Sequence, residues 1–305
     1  MTIIVTGAAG FIGANIVQAL NARGEKNIIA VDDLQPADKY RNLADLDIID
    51  YLDKAEFLEA FRSGRFGKVK AVFHEGACSD TMETDGIFMM ANNYRYTMDL
   101  LDVCTDQKVQ LLYASSAATY GGSDVFVESR EHEKPLNIYG YSKFLFDQVM
   151  RKRFAENANT AQVVGFRYFN VYGMDEKKDD FCTSPVYRFS EQAKSTGVIK
   201  IFEGSEKTYR DFVCVDDVVQ LTTRKYNEHG VYDLGCGTSI SFLDVAVMVA
   251  DKYKATIQFI PFPEVIKGKY QKYSIAQNHL PDHKFTQVEE FVQRMDPGYS
   301  AHLLI

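Results

Sequence analysis

Thr2-Ile3-Ile4-Val5-Thr6-Gly7-Ala8-Ala9-Gly10-Phe11-Ile12-Gly13 is the stretch whose reading decides the fold of this 305-residue chain. Thr2 to Thr6 is a short, mostly β-branched run, fit for a strand buried on both faces. Ala14 to Leu20, just beyond the quoted stretch, is amphipathic and reads as a helix. The glycine turn between them forms a phosphate site. Gly7 and Gly10 permit a tight turn and close backbone approach, and Gly13 permits close packing of helix on strand. The helix N-terminus then offers unpaired N–H groups to a pyrophosphate. The spacing is GxxGxxG rather than GxGxxG, so a purely structural turn is the competing reading.

Working outward, Asn27 to Val31 reads as a second strand that ends at Asp32-Asp33, where an acid suits the hydroxyls of an adenosine ribose. Lys39 and Lys54 lie close enough in sequence to meet a 2′-phosphate, so the expected cofactor is NADP, with NAD as the alternative. The competing reading of either lysine is a solvated surface charge. Ala44 to Ile48 is expected to be the third strand and Val69 to His74 the fourth. Glu75-Gly76-Ala77-Cys78-Ser79 follows, and its small residues let a dinucleotide lie against the backbone. Cys78 reads as a small buried hydrophobe rather than a nucleophile. Asn92 and Asn93, in a helix beginning near Phe88, either hold water or cofactor or face solvent. Gln110 to Ala114 is the fifth strand. It ends at Ser115-Ser116, on the rim where ligands of open α/β sheets bind. Strand–helix alternation of this kind means a doubly wound parallel sheet of Rossmann type, an α/β fold.

Asn137-Ile138-Tyr139-Gly140-Tyr141-Ser142-Lys143 follows Pro135 and leads into apolar residues at helical spacing, so a helix is expected to start near Tyr139. Tyr139 and Lys143 are then one turn apart on one face. An ammonium beside a phenol favours the phenolate, which suits proton exchange with a sugar hydroxyl. Ser116 can bond the same substrate oxygen. The competing reading is an exposed Tyr–Lys pair.

The chain has a net charge of −8, and no basic run stands out, which argues against nucleic acid. No apolar run is long enough to cross a bilayer, and the first residues carry no basic segment of the kind a secretory signal has. The five cysteines (Cys78, Cys104, Cys182, Cys214, Cys236) are scattered and form no CxxC pair. Reduced thiols and a cytoplasmic location are expected. His279 and His283 are four apart, but Pro281 lies between them and no metal site is expected.

In this order the glycine turn, Ser116, Tyr139 and Lys143 resemble the extended short-chain dehydrogenase/reductase family of nucleotide-sugar epimerases, dehydratases and reductases. Further segments are similar to its ADP-heptose 6-epimerase branch. They include His74 to Ser79, Ser115 to Gly122, Glu128 to Glu131, Phe166 to Gly173, Phe202 to Ser205, Arg210 to Val213 and Ile260 to Pro263. The resemblance implies that Ser116, Tyr139 and Lys143 are catalytic. It implies cofactor contacts at Phe11, Ile12, Asp32, Asp33, Lys39, Lys54, Glu75 through Ser79, Asn92, Lys143 and Val171. It also implies a loop lysine as second acid/base. An ungapped match puts Asp179 there, so Lys178, one residue early, is nominated with a solvated charge run as the alternative. After Tyr273 the likeness fades.

Gln162 to Phe169 is expected to be the sixth strand. Asn170 beyond it either bonds a sugar or diphosphate or caps the next turn. Phe202, Glu203, Gly204, Ser205 and Arg210 suit a nucleotide diphosphate, with Arg210 as a bidentate phosphate partner. Arg188 stands where the resemblance has a His, and Tyr270 matches a substrate contact. Val213 to Val219 is expected to return to the sheet. Two domains would then interleave: 1–170 with about 212–237 holding the dinucleotide, and 171–211 with 238–305 holding the substrate. The expected activity is epimerisation of ADP-D-glycero-D-manno-heptose at C6 through a transient ketone. The alternatives are a UDP-hexose 4-epimerase, a dehydratase, or a dinucleotide sensor without chemistry. Ala117-Ala118 stand where dehydratases of the family have an Asp–Glu pair, which counts against elimination. The expected partners are the ADP-heptose and further copies of the chain.

Overall fold

The computed structural model describes residues 1–156, 161–174, 176, 183–264, 271–277 and 282–295. Its main sheet is parallel and has seven strands: β1 (Thr2–Thr6), β2 (Ile28–Asp32), β3 (Asp50–Asp53), β4 (Val69–His74), β5 (Gln110–Ser116), β6 (Val163–Tyr168) and a late-arriving Gly230–Leu234. Three further strands precede that last one in sequence: β7 (Asn170–Tyr172), β8 (Val198–Phe202) and β9 (Tyr209–Cys214). Gly230–Leu234 is therefore β10, and β11 (Ser239–Ser241) and β12 (Thr256–Ile260) follow. The order β10-β6-β5-β4-β1-β2-β3 reverses between β1 and β4, which opens a ligand crevice at their carboxyl ends.

Side-chain alternation along the strands builds a core on each face of the sheet. Ile3 and Val5 point to one face and pack with α1 (Phe11–Ala22) through Ile16 and Val17. Ile4 points to the other, with α2 (Lys54–Arg62) contributing Phe57 and Phe61. That second face also takes α3 (Gly86–Met89), a π-helical turn over Met90–Arg95, α4 (Tyr96–Gln107) and α5 (Ile138–Ala155). A third core lies in the later part of the chain. It joins α6 (Pro185–Thr196), β8, β9, α8 (Phe242–Tyr253) and α9 (Val288–Arg294) around Phe189, Phe212, Val249 and Phe291. Strands β7, β9 and β11 form one small sheet there, and β8 and β12 form another.

Two expected strands fall elsewhere. Ala44 to Ile48 is a turn, and β3 comes later, at Asp50–Asp53, as the half-exposed edge strand. Leu46 and Ile48 still reach the core, but from a loop, so their alternation imitated a strand. Val213 to Val219 does not return to the main sheet. Its first residues finish β9, and α7 (Val215–Thr222) follows. Val215, Val218 and Val219 have helical spacing, with Asp216 and Asp217 at the favourable end of the helix dipole. The strand that does rejoin is β10, paired with β6 from Gly230↔Val164 to Leu234↔Tyr168.

Candidate active site

Gly7 adopts a φ of +65°, and a Cβ there would lie 2.6 Å from Gly76 N, so the glycine turn rests directly on the end of β4. A Cβ on Gly13 would lie 2.1 Å from Gly7 O, which is backbone that cannot move aside. Gly13→Ala is therefore expected to cost ~1–3 kcal/mol of stability by overpacking. Denaturant unfolding checks this, and an unchanged midpoint would refute the close packing. The N-cap of α1 is Gly10 and carries no side-chain cap, so no capping side chain competes with an anion for the N–H groups of the first turn.

The acids after β2 are held by the turn and by both lysines. Asp32 is buried, and its carboxylate accepts from Ala9 N–H at 2.8 Å and from Asp33 N–H at 2.8 Å. Lys39 Nζ donates to Asp32 and, at 2.9 Å, to Asp33. Lys54 Nζ donates to Asp33 at 2.9 Å and to Asn92 Oδ1 at 3.2 Å. Burial works to raise the Asp33 carboxyl, yet the two lysines and Gln35 N–H hold it well below the usual carboxylate range. Lys39 and Lys54 are thus gathered beside Asp33 rather than spread over the surface.

At the end of β4, Asn93 Oδ1 accepts from Cys78 N–H at 2.9 Å, and Asn93 Nδ2 donates to Cys78 O at 2.8 Å. Asn93 is buried and fixes the Cys78 backbone through both of its groups, a role its apolar surroundings in the sequence hid. His74 is buried between Thr6 Oγ1 at 2.6 Å and Thr97 Oγ1 at 2.9 Å, and burial pushes it down to about 3, so it is neutral.

The end of β5 meets the start of α5. Asn137 caps that helix by accepting from Gly140 N–H at 2.8 Å. A Cβ on Gly140 would lie 2.6 Å from Ala118 O, so the turn that carries half-buried Tyr139 sits against the residues following Ser116. Ser116 Oγ accepts from Ala118 N–H at 3.1 Å. Lys143 is buried and donates to Ala114 O at 2.8 Å. Burial pushes its ammonium down to about 8, against the pull of Glu75 and Asp147. Burial likewise pushes Glu75 up to about 7, although Tyr168 and Lys143 oppose it. Tyr168 donates to Glu75 Oε1 at 3.0 Å, while Oε2 is buried and meets no donor among the described residues.

From the second half, a Cβ on Gly173 would come within 2.9 Å of Phe11, so the turn after β7 lies on the start of α1. That places Asn170 and buried Val171 on the strand feeding this junction. Residues 3–235, from β1 to the end of β10, match the model of the NAD dependent epimerase/dehydratase family. The chain belongs to that family.

Epimerase/dehydratase family membership agrees with the structural likenesses. The ADP-L-glycero-D-manno-heptose-6-epimerase of Helicobacter pylori is 26% identical, with 96% of this chain and 94% of that one covered and a TM-score of 0.84. The UDP-glucose 4-epimerase of Thermus thermophilus, in complex with NAD, is 24% identical over 96% and 97%, with a TM-score of 0.78. That of Thermotoga maritima, with UDP-glucose, is 24% identical over 96% of each chain, with a TM-score of 0.80. The NAD of this epimerase/dehydratase family suits the residues present: a glycine cradle that a Cβ would fill and an α1 N-terminus without a side-chain cap stand at the carboxyl end of β1, beside the crevice of an open α/β sheet.

Other expected residues lie further out. Phe202 ends β8 and packs edge-on to Phe262 at 5.6 Å, and Glu203 N–H donates to Ile260 O at 2.9 Å. Gly204 has a φ of +86°, and Ser205 turns its hydroxyl to Phe202 O at 2.6 Å. Arg210 is buried, with one nitrogen on Tyr209 O at 2.9 Å and its guanidinium over Phe242, while Arg188 is half-buried on α6. Among the described residues, no hydrogen bond joins this group to Ser116 or Lys143. Lys178, Tyr270 and His279 lie outside the described residues. His283 lies 2.8 Å from Asp217 Oδ1 on α7, and Glu176, within the charged loop, is buried and accepts from Ser184 at the head of α6. No helix among the described residues is long and apolar enough to cross a membrane.

Proposed function

We propose that the chain epimerises ADP-D-glycero-D-manno-heptose at C6 through a transient ketone. The observation that carries the reading is the buried Lys143 ammonium, one turn behind Tyr139, seated on the strand that ends in Ser116. Tyr139 takes the proton of the C6 hydroxyl, aided by the positive charge behind it. Ser116 holds the forming carbonyl in place. A dinucleotide held at the glycine turn would supply the hydride acceptor and, for the return to the alcohol, the hydride donor. Lys178 serves as the second acid/base in this reading. The 26% identity to the H. pylori heptose epimerase, over almost the whole of both chains, supports ADP-heptose as the substrate.

The glycine turn and the Glu75-to-Ser79 segment hold the dinucleotide, with Gly10, Phe11, Ile12, Gly13, Asp32, Asp33, Asn92 and Val171 around it. Asn170, Arg188, Phe202 to Ser205, Arg210 and Tyr270 hold the sugar nucleotide, and the substrate-binding part of the chain interleaves with the dinucleotide-binding part. Copies of the chain associate with one another. NADP is the preferred cofactor in this reading, supported by Lys39 and Lys54, which are gathered beside Asp33 at the end of β2 and could together meet a 2′-phosphate. Lys39→Ala leaves Asp32 and Asp33 without their shared cation, so NADP affinity should fall at least ~10-fold, the worth of one charge-assisted contact, with NAD binding much less affected. Fluorescence titration with each cofactor checks this, and equal losses would overturn the NADP preference.

The deciding experiment incubates the cofactor-loaded protein with ADP-D-glycero-D-manno-heptose and follows the C6 configuration by NMR, with UDP-glucose in parallel. Conversion of the heptose at C6 is expected. Turnover of UDP-glucose beside unchanged heptose rejects the substrate assignment.

A further inference from the structure

Below the site, on the α5 side of the sheet, lies a closed cluster of charges that the proposed chemistry does not use. Asp147 stands one turn after Lys143 and is 1% exposed. Its carboxylate accepts from Tyr113 OH at 2.9 Å, Ser115 Oγ at 2.8 Å and Arg167 Nε at 2.9 Å. Lys143 meanwhile holds Ala114 O. Two residues of α5 therefore grip three consecutive residues of β5, the last of them adjacent to Ser116. Arg167 passes the charge on to Glu133, in the loop before α5, and Glu133 is also held by Arg151 at 2.6 Å and Gln148 at 2.7 Å on α5 itself. Two arginines balance two carboxylates.

Buried ion clusters of this kind add little to stability compared with well-packed apolar residues, and their best-attested use is to fix a register. Here the register is that of the Tyr139 helix on the strand ending in Ser116. We infer that Asp147 is a positioning residue for the reaction: it locks α5 onto β5 and β6 so that Tyr139 and Lys143 meet the substrate oxygen held by Ser116. This rests on the epimerase reading for its kinetic arm only. A misplacement of about 1 Å in such a constellation costs ~100-fold in rate. The charged and polar groups that face Lys143 include His74 from β4, Glu75 just after it, Tyr139 and Asp147 from one turn to either side on α5, and the Ala114 carbonyl from β5. With His74 neutral, Asp147 is one of two anions favouring the ammonium.

Asp147→Asn should keep KM within about threefold, lower kcat 10–100-fold and move the alkaline limb of the kcat profile to lower pH. Tyr113→Phe/Ser115→Ala leaves every charge in place. It should lower kcat about tenfold with KM and the limb unchanged, and it carries the kinetic test alone if Asp147→Asn does not fold. A substrate-free arm follows acylation of Lys143 by acetic anhydride against pH, read by mass spectrometry. Its midpoint should fall in Asp147→Asn and stay put in the neutral double variant. If both variants keep wild-type kcat, or if kcat falls only in step with Tm, the positioning role is overturned. If no sugar nucleotide turns over but the labelling midpoint moves as stated, the epimerase reading fails and the coupling of Asp147 to Lys143 stands. An unmoved midpoint removes that coupling.

Discussion

Tyr139→Phe should retain the fold and the bound dinucleotide and lose epimerisation by ~10²–10⁴-fold, the usual range for a general acid/base. The ring stays, so the packing of the first turn of α5 against the Ala118 carbonyl is kept, and only the ionisable oxygen goes. A loss of that size raises the barrier by about 3–5 kcal/mol. It should fall on kcat rather than KM, because proton transfer develops in the transition state and not on binding. Retention of the full rate would reject Tyr139 as the base. A rise in KM with kcat intact would reassign it to substrate binding.

Glu75→Gln should change the shape of the stability–pH curve. In the folded protein the Glu75 carboxyl is pushed up to about 7, by burial above all. Unfolded, it titrates near 4.5. Between these values the folded state binds the extra proton, so Glu75 erodes stability as pH rises from about 4.5 through 7. Glutamine carries no such proton. The difference between variant and wild type should therefore move in the variant's favour by about 2–3 kcal/mol between pH 5 and pH 8, since each pH unit separating the folded and unfolded values is worth about 1.4 kcal/mol. Any constant cost of the amide cancels in that comparison. Urea unfolding of both proteins, free of dinucleotide, at the two pH values measures it. Parallel curves would mean that Glu75 ionises as freely in the fold as outside it.

Lys143 works in the opposite sense. Its folded value of about 8 lies below the 10.5 of an ordinary lysine, so its contribution to stability improves as pH climbs from 8 to 10.5. The fold thus carries two strained ionisations side by side, which is where perturbed groups of functional sites are commonly found.

Local signals carried most of this architecture. Thr2–Thr6, the three glycines and α1 are contiguous, and Tyr139 and Lys143 sit at a fixed helical spacing, so their relation can be read without tertiary knowledge. β3 escaped because an edge strand carrying Asp50 and Asp53 lacks the apolar run of a central one, while Leu46 and Ile48 imitated it from a loop. α7 was mistaken for a strand because three valines at helical spacing are also β-branched. The Glu133–Asp147–Arg167 cluster was invisible for a different reason. Arg167 finds its carboxylates 20 and 34 residues away, and only the stacking of α5 on β5 and β6 brings them together. An acid four residues after Lys143 was the single clue, since it had to share the buried face of that helix.

The last strand of the main sheet comes from Gly230–Leu234, after the chain has left to build β7, β8 and β9 elsewhere. A nascent polypeptide emerging from the ribosome must therefore wait with β6 as an open border, its amides and carbonyls free to pair with any neighbour. Fragments ending before Gly230 should be the ones that cells clear or that stick together, however complete their glycine turn and Tyr139 helix.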